Sequence, residues 1–388
     1  MNETVKPKVM FYVQHLLGIG HVFRAVRVAQ ALARAGCETH VVWGGTKIES
    51  LNTDGLQMTY LEAVRVQNED FKTLLKIDGT PISEEGKQQR GRNLLGLFHR
   101  VKPDIVITEA YPFGRRQMRF ELLPLLEAVK NADWHPMMVS SIRDIMQENR
   151  VEKRVRESID LIKNWFDLVM VHGDEALISV GETLQNTDEI ADKIVHTGLV
   201  TPEPVNLDIA PSVSPDVLVS AGGGAVGLGL MKVAIKAMNH CEKFPTNWLL
   251  VTGPDLPQTE FDQLLKDVPT GMDVIRFIPD LARVMAAAKV SVSRAGYNTV
   301  GDILRAGTSA VLVPFAGGIE TEQLRRAQMM DERGVATLLL EEELSPESLA
   351  KSIDAAAAKP VAAIDLDLNG ADNAAKMLIN THQNHMAK

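Results

Sequence analysis

Short apolar runs rich in valine and isoleucine alternate with longer segments of helical period along this chain, and few architectures accept that order. "KVMFYVQ" (8–14), "ETHVVWG" (38–44), "PDIVITEA" (103–110), "HPMMVSS" (135–141), "FDLVMVHG" (166–173) and "KIVHTG" (193–198) read as strands. Helical patterns such as "VFRAVRVAQALARAG" (22–36) and "ELLPLLEAVKNA" (121–132) stand between several of them. The order implies an α/β fold with a parallel sheet covered by helices on both faces.

Beyond "LVTPEPVNLDIAPSVSP" (199–215), a proline-rich polar stretch without helical period, the alternation begins again. "DVLVSAGGG" (216–224), "NWLLVTGP" (247–254), "MDVIRFIP" (272–279), "KVSVSRAG" (289–296), "SAVLVPFAGG" (309–318) and "ATLLLEE" (336–342) are the second set of strands. A length of 388 residues exceeds one ordinary core, so the repeated pattern implies two domains. The expected divisions are 1–200, 201–365 and a terminal helical segment, 366–388, packing back on the first domain. Open parallel sheets bind ligands beyond the carboxyl ends of their strands, and two in series place a ligand in the cleft between them. The chemistry is therefore expected in the loops that follow these runs.

A net charge of −9 argues against nucleic acid, whose phosphates demand a basic face. Residues 1–200 hold 25 Lys and Arg against 27 Asp and Glu, and residues 201–388 hold 16 against 23, so a basic patch belongs to the first half. "EEGKQQRGRNLLGLFHRVK" (84–102) and "GRRQMRF" (114–120) supply its charges, with Leu94, Leu95, Leu97, Phe98 and Phe120 interleaved. Such segments suit an anionic membrane surface, and solvated helix faces suit them as well. Only Cys37 and Cys241 are present, which leaves no disulfide framework and no cysteine-rich metal site. No apolar run reaches the roughly 18 residues of a membrane span, and "MNETVKPKV" lacks the apolar core of a signal peptide. The expected location is cytoplasmic, at most peripheral on the inner face of the plasma membrane.

Two glycine-bearing loops stand out. "HLLGIGHVFRA" (15–25) follows the first strand with Gly18, Gly20 and then His21, and puts Phe23 where a dinucleotide loop carries its third glycine. Gly222, Gly223 and Gly224 follow the first strand of the second half, where free N–H groups at a helix start suit an anion such as a diphosphate. No Gly-Lys-Ser/Thr follows, so this is not a P-loop; a tight turn without a ligand fits the glycines equally.

The stretch "RFIPDLARVMAAAKVSVSRAGYNTVGDILRAGTSAVLVPFAGGIETEQLRRAQ" (276–328) resembles the C-terminal domain of family 28 glycosyltransferases, the MurG-type UDP-sugar transferases. "GIGHVFRAVRVAQALARAG" (18–36) is similar to that family's glycine-rich loop with histidine, and the nearest likeness is to a branch known as predicted glycosyltransferases. The resemblance implies a GT-B fold, two Rossmann-like domains facing across a cleft. It implies that Phe277 and the main chain of Ile278 hold the nucleotide base, and that Asp302 accepts from the ribose hydroxyls. Gly296 and Thr299 would lie near the diphosphate with Arg294 adding charge, and Glu322 and Gln323 would read the sugar. An acidic residue in place of the first of the family's two glutamines favours a neutral hexose or N-acetylhexosamine.

The resemblance also makes His21 the base that takes the acceptor's proton, with Gly18 and Gly20 keeping the acceptor loop open. Glu109, at a neighbouring strand end, is the expected partner that holds the imidazole, with Asp144 as second choice. The implied activity is inverting transfer without a metal or other cofactor, from a UDP-sugar to a carbohydrate, lipid-linked or small-molecule acceptor. A UDP-N-acetylglucosamine 2-epimerase-like enzyme without an acceptor shares the nucleotide loops, and a silent binding module would not need the histidine. Asp302 also reads as a helix-start acid, Glu322 and Gln323 as surface residues, and "EEEL" (341–344) as an acidic run at a helix start.

Overall fold

The computed structural model describes residues 6–16, 20–49, 51–67, 70–146, 151–206, 208–220, 227–253, 256–278, 281–315, 317, 321–363 and 365–386. The chain divides into two units, one of Met1–Met146, Arg150–Val200 and Asn369–Lys388, the other of Gln147–Asn149 and Thr201–Leu368.

In the first unit β1 (Lys8–Val13) shows why the strands read as continuous apolar runs. Val9, Phe11 and Val13 join one apolar layer and Met10 and Tyr12 the other, all fully buried. The strand is followed by α1 (Gly20–Arg34), β2 (Glu38–Trp43), β3 (Gln57–Tyr60), the hairpin β4 (Arg65–Gln67) and β5 (Asp70–Leu75), and α2 (Glu84–Val101). Next come β6 (Ile105–Glu109), α3 (Arg119–Lys130), β7 (Met137–Arg143), α4 (Glu152–Trp165), β8 (Leu168–His172) and β9 (Ile194–His196). The main sheet is parallel, in the order β3-β2-β1-β6-β7-β8-β9.

The second unit holds β10 (Val217–Ser220), α5 (Leu228–Ala237), β11 (Trp248–Val251), α6 (Gln258–Leu265), β12 (Met272–Ile275), α7 (Leu281–Ala287) and β13 (Val290–Ser293). It continues with α8 (Tyr297–Ala306), β14 (Ser309–Leu312), α9 (Glu322–Glu332), β15 (Ala336–Leu338) and α10 (Pro346–Ala358). Its parallel sheet runs β12-β11-β10-β13-β14-β15. In both sheets the chain works outward from one central strand, crosses back, and continues on the other side. That doubly wound order is of the Rossmann type, and the loops diverge at β1/β6 and at β10/β13, which leaves a crevice at the strand ends.

The last helix, α11 (Gly370–Met386), belongs to the first unit. Ala374, Ala375 and Leu378 enter the layer that holds Val9 and Phe11, and Asn373 donates to the Thr197 carbonyl at 2.9 Å. A Cβ on Gly370 would stand 2.4 Å from the Gly198 carbonyl, so the helix can start there only on glycine.

The segment read as a basic surface has two faces, and Arg92, Arg100 and Lys102 are exposed on the outer one. Leu94, Leu97 and Phe98 face the core, and Arg90 is as buried as they are. Its guanidinium donates to Glu121 Oε1 at 2.8 Å and Oε2 at 2.9 Å, to the Gln14 side chain at 2.9 Å, and to the Gly44 and Glu62 carbonyls. Tyr12 adds a hydroxyl to Glu121 at 2.5 Å. Arg116 and Arg119 both pair with Glu157. An amphipathic helix pairs its apolar stripe with the core first, so Leu94, Leu97 and Phe98 are withdrawn from the surface while the outer charges of α2 stay on it. No described helix is long and apolar enough to cross a membrane.

Removing one partner of a buried ion pair leaves a charge without compensation, at a cost of about 3–5 kcal/mol, whereas apolar replacement of both costs much less. Glu121→Ala should therefore lose about that much stability in urea unfolding, and the double variant Arg90→Met, Glu121→Leu should recover part of it. A single-variant loss within about 0.5 kcal/mol, the scale of an ordinary surface change, would show that the pair does not hold α2 to α3.

Candidate active site

At the β1/β6 divergence, His21 is the second residue of α1. Its Nε2 stands 3.2 Å from the Gln14 carbonyl and 2.8 Å from Arg115 Nη2, and Arg115 Nε donates to that same carbonyl at 2.6 Å. Burial holds the imidazole well below its usual pKa, and the positive charges of Arg115 and Arg24 push it the same way. His21 is therefore neutral at pH 7, and its ring lone pair accepts from Arg115 Nη2. Arg115 is itself lowered to about 10 by burial, against the pull of Glu109.

Glu109 does not hold His21. Its Oε1 takes the guanidinium of Arg24 and its Oε2 accepts from Ser141 Oγ at 2.5 Å. Ser141 Oγ is in turn 3.0 Å from His172 Nε2, and His172 Nδ1 is 2.9 Å from Thr197 Oγ1. Burial, with Arg24 nearby, keeps His172 neutral as well. Reach decides the pairing: Arg24 lies three residues after His21, on the same helix face, and its longer side chain occupies the carboxylate. Asp144, also buried, turns Oδ1 to the amide of Ile145 at 2.7 Å. The partners that orient His21 are Gln14 and Arg115. Gly20 opens α1, while Gly18 lies outside the described residues.

At the β10/β13 divergence, Gly222, Gly223 and Gly224 lie outside the described residues. The loop after β13 is well defined. Gly296 caps α8 in an extended conformation, so the amides of Tyr297, Asn298 and Thr299 lie in the first turn of the helix, where anions are favoured. Asp302 is half-buried in the second turn, one turn beyond Thr299 on a neighbouring position of the face. It is no helix-start acid. After β12, Phe277 leaves its ring 54% exposed while Ile278 is buried, and Arg276 is fixed to the Leu256 carbonyl at 2.6 Å.

Three further expected donor residues serve the loop framework. Arg294 is buried, donating to the Val313 carbonyl at 3.1 Å and to Glu341 at 2.6 Å. The acidic run at 341–343 forms a single 3-10 turn, and its first residue, Glu341, anchors this arginine. Glu322 is buried and pairs with Arg326 at 3.0 Å, and Arg326 also donates to the Ala295 carbonyl beneath the start of α8. Gln323 Oε1 accepts from the Phe315 amide at 3.2 Å. Neither is a surface residue of an amphipathic helix: Gln323 ties α9 to the loop after β14, and Glu322 holds the arginine that reaches the loop after β13.

Sequence reasoning missed Gln14, Arg24 and Arg115. The three-residue step from His21 to Arg24 was a legible signal, and Arg115 follows a strand end, yet it read as one charge in a basic run.

Residues 219–380 match the glycosyltransferase family 28 C-terminal domain. An N-acetylglucosamine transferase acting on pyrophosphoryl-undecaprenol N-acetylmuramyl-(pentapeptide), from Thermoanaerobacter sp. (strain X514), is 22% identical over 86% of this chain and 87% of its own length. The corresponding enzyme of Methylibium petroleiphilum is 26% identical over 48% of this chain, which spans 56% of that enzyme's length. Among solved structures, MurG of Acinetobacter baumannii superposes with a TM-score of 0.58 at 17% identity, covering 97% of this chain and all of that one.

Among the described residues, a Cβ added to Gly296 would meet nothing nearer than Thr299 Oγ1 at 3.9 Å. Gly296→Ala should then cost no more than about 1 kcal/mol as an N-cap change. If a diphosphate approaches this amide, the methyl would obstruct it and UDP affinity would fall tenfold or more. Unchanged affinity in calorimetric titration of the folded variant would take Gly296 out of the anion site.

Proposed function

This chain carries the family 28 C-terminal domain on a GT-B fold, and from that premise we propose that it is an inverting, metal-independent glycosyltransferase. It moves a hexose or N-acetylhexosamine from a UDP-sugar to the hydroxyl of a carbohydrate, lipid-linked or small-molecule acceptor. The second unit supplies the donor site. Phe277 offers an exposed face to the base, Asp302 accepts from the ribose diol, and the amides opening α8 receive the diphosphate. The exposed ring of Phe277 beside a buried Ile278, and a Gly296 that no described residue crowds, support this assignment.

The first unit supplies the base. The hydroxyl proton passes to His21 as its oxygen bonds to the anomeric carbon, and the diphosphate leaves with the bonding pair from the opposite face. The observation that carries this reading is the position of the His21 ring, fixed by Gln14 and Arg115 at the divergence of the first sheet, where burial and the nearby arginines disfavour its protonation. Helix dipole and loop amides stabilise the departing diphosphate, the task a divalent cation performs elsewhere.

His21→Ala should retain UDP binding but lose transfer by roughly 10²-fold or more, the scale of general-base removal. Normal kcat at saturating acceptor with a raised KM would move His21 from chemistry to binding. Because the base acts in its neutral form and its pKa is lowered, the acidic limb of the kcat/KM profile should fall below pH 6.5. A limb at or above that value would contradict the environment described for His21. Asp302→Ala should weaken UDP binding by roughly 1.5–3 kcal/mol, the scale of charged hydrogen bonds. Turnover of UDP-sugars should persist in EDTA; loss restored by manganese would refute metal independence.

A further inference from the structure

The loop between β6 and α3 is held from three sides. Thr108 and Ser140 hydroxyls donate to the Tyr111 carbonyl at 3.1 and 2.8 Å, and Ser158 of α4 donates to the Pro112 carbonyl at 3.0 Å. All three hydroxyl residues are buried. The loop ends on Arg115 in the left-handed region, φ 59° and ψ 29°. That conformation is unfavourable for a non-glycine residue and persists where the surroundings over-determine it.

What this framework presents is a guanidinium with an edge to spare. Nε and Nη2 are taken by the Gln14 carbonyl and His21, while Nη1 has no hydrogen-bond partner among the described residues and is not sealed from solvent. Arg24 and Arg143 add positive charge beside it, and Glu109 is the carboxylate that most opposes them. Both oxygens of Glu109 are engaged, by Arg24 and Ser141. A half-buried arginine without a carboxylate of its own, aimed beside a candidate base, has the chemistry of an oxyanion receptor.

We propose that Arg115 binds an oxyanion of the acceptor, a phosphate or a carboxylate, beside the hydroxyl that His21 deprotonates, so that the acceptor itself strengthens its base. This rests on His21 being the base, as in the reading above. The groups that face His21 are Arg115 from the β6–α3 loop, Arg24 from its own helix, and His15 and the Gln14 carbonyl from the loop after β1. With Arg115 bare, cationic neighbours oppose protonation of the imidazole. An anion on Arg115 cancels the nearest of them, and proton affinity rises only when the acceptor is in place. An acceptor lacking the anion would meet a neutral but weak base.

The test is an NMR titration of the His21 ring in protein labelled at histidine, the signal assigned by its loss in His21→Gln. In chloride at matched ionic strength the midpoint should lie below pH 6.5. Millimolar sulfate, standing for a phosphate ester, or acetate, standing for a carboxylate, should raise it by about one pH unit, the smaller end of a close charge effect. Which of the two acts identifies the acceptor's group. Arg115→Asn removes the charge with a residue that tolerates the left-handed backbone, and should raise the midpoint without anion and abolish the response. Arg115→Lys should keep the midpoint low. A midpoint unmoved by either oxyanion, or moved equally in Arg115→Asn, overturns the proposal. So does a shift produced by UDP and by neither small anion, which would assign the oxyanion to the donor. UDP affinity measured on the same samples tests the transferase reading separately, since loss of UDP binding with an intact anion response would sink that reading and not the anion site.

Discussion

Everything at the mouth of the first sheet hangs on Gln14. Its side chain is gripped by Arg90, whose charge is met in the interior by Glu121, and its carbonyl receives Arg115 and faces His21. One residue thus links a buried ion pair between α2 and α3 to the imidazole that starts α1. Buried polar groups of this kind are costly unless each is satisfied, and here each hydrogen bond fixes the next. The rigidity of the site comes from the interior, not from the exposed loops around it.

A second consequence is electrostatic. Arginines outnumber carboxylates around His21, and Glu109, which could have offset them at the ring, is committed to Arg24 and Ser141. The imidazole is then neutral by environment rather than by pH. A histidine paired with a carboxylate would be more basic and partly protonated at neutral pH; one beside arginines stays neutral and weakly basic. The difference between those two states is what an acceptor's own charge can change.

In the second unit the division is between residues that face outward and residues that hold them. Phe277, Gly296, Thr299 and Asp302 line the strand-end loops and the first turns of α8. Arg294, Glu322, Arg326, Gln323 and Glu341 are knitted to one another's loops underneath. Motif residues with charge are easily read as ligands for a substrate. Burial shows which of them already have partners within the protein.

The sequence by itself determined the architecture: the strand runs are apolar because both faces of each sheet are covered, and each run it marks holds a strand. The short edge pieces β3, β4 and β5 escaped because edge and hairpin strands are half exposed and have no continuous apolar run. It also marked His21, Gly296 and Asp302, since position after a strand end is a local property. What only the tertiary structure decided is which charge meets which. Arg90 and Arg115 lie in similar basic stretches, yet one is sealed against Glu121 and the other reaches back 101 residues to Gln14. Pairing of that kind depends on which strands are neighbours, and the β1/β6 adjacency is a fact of topology that no local pattern of residues contains.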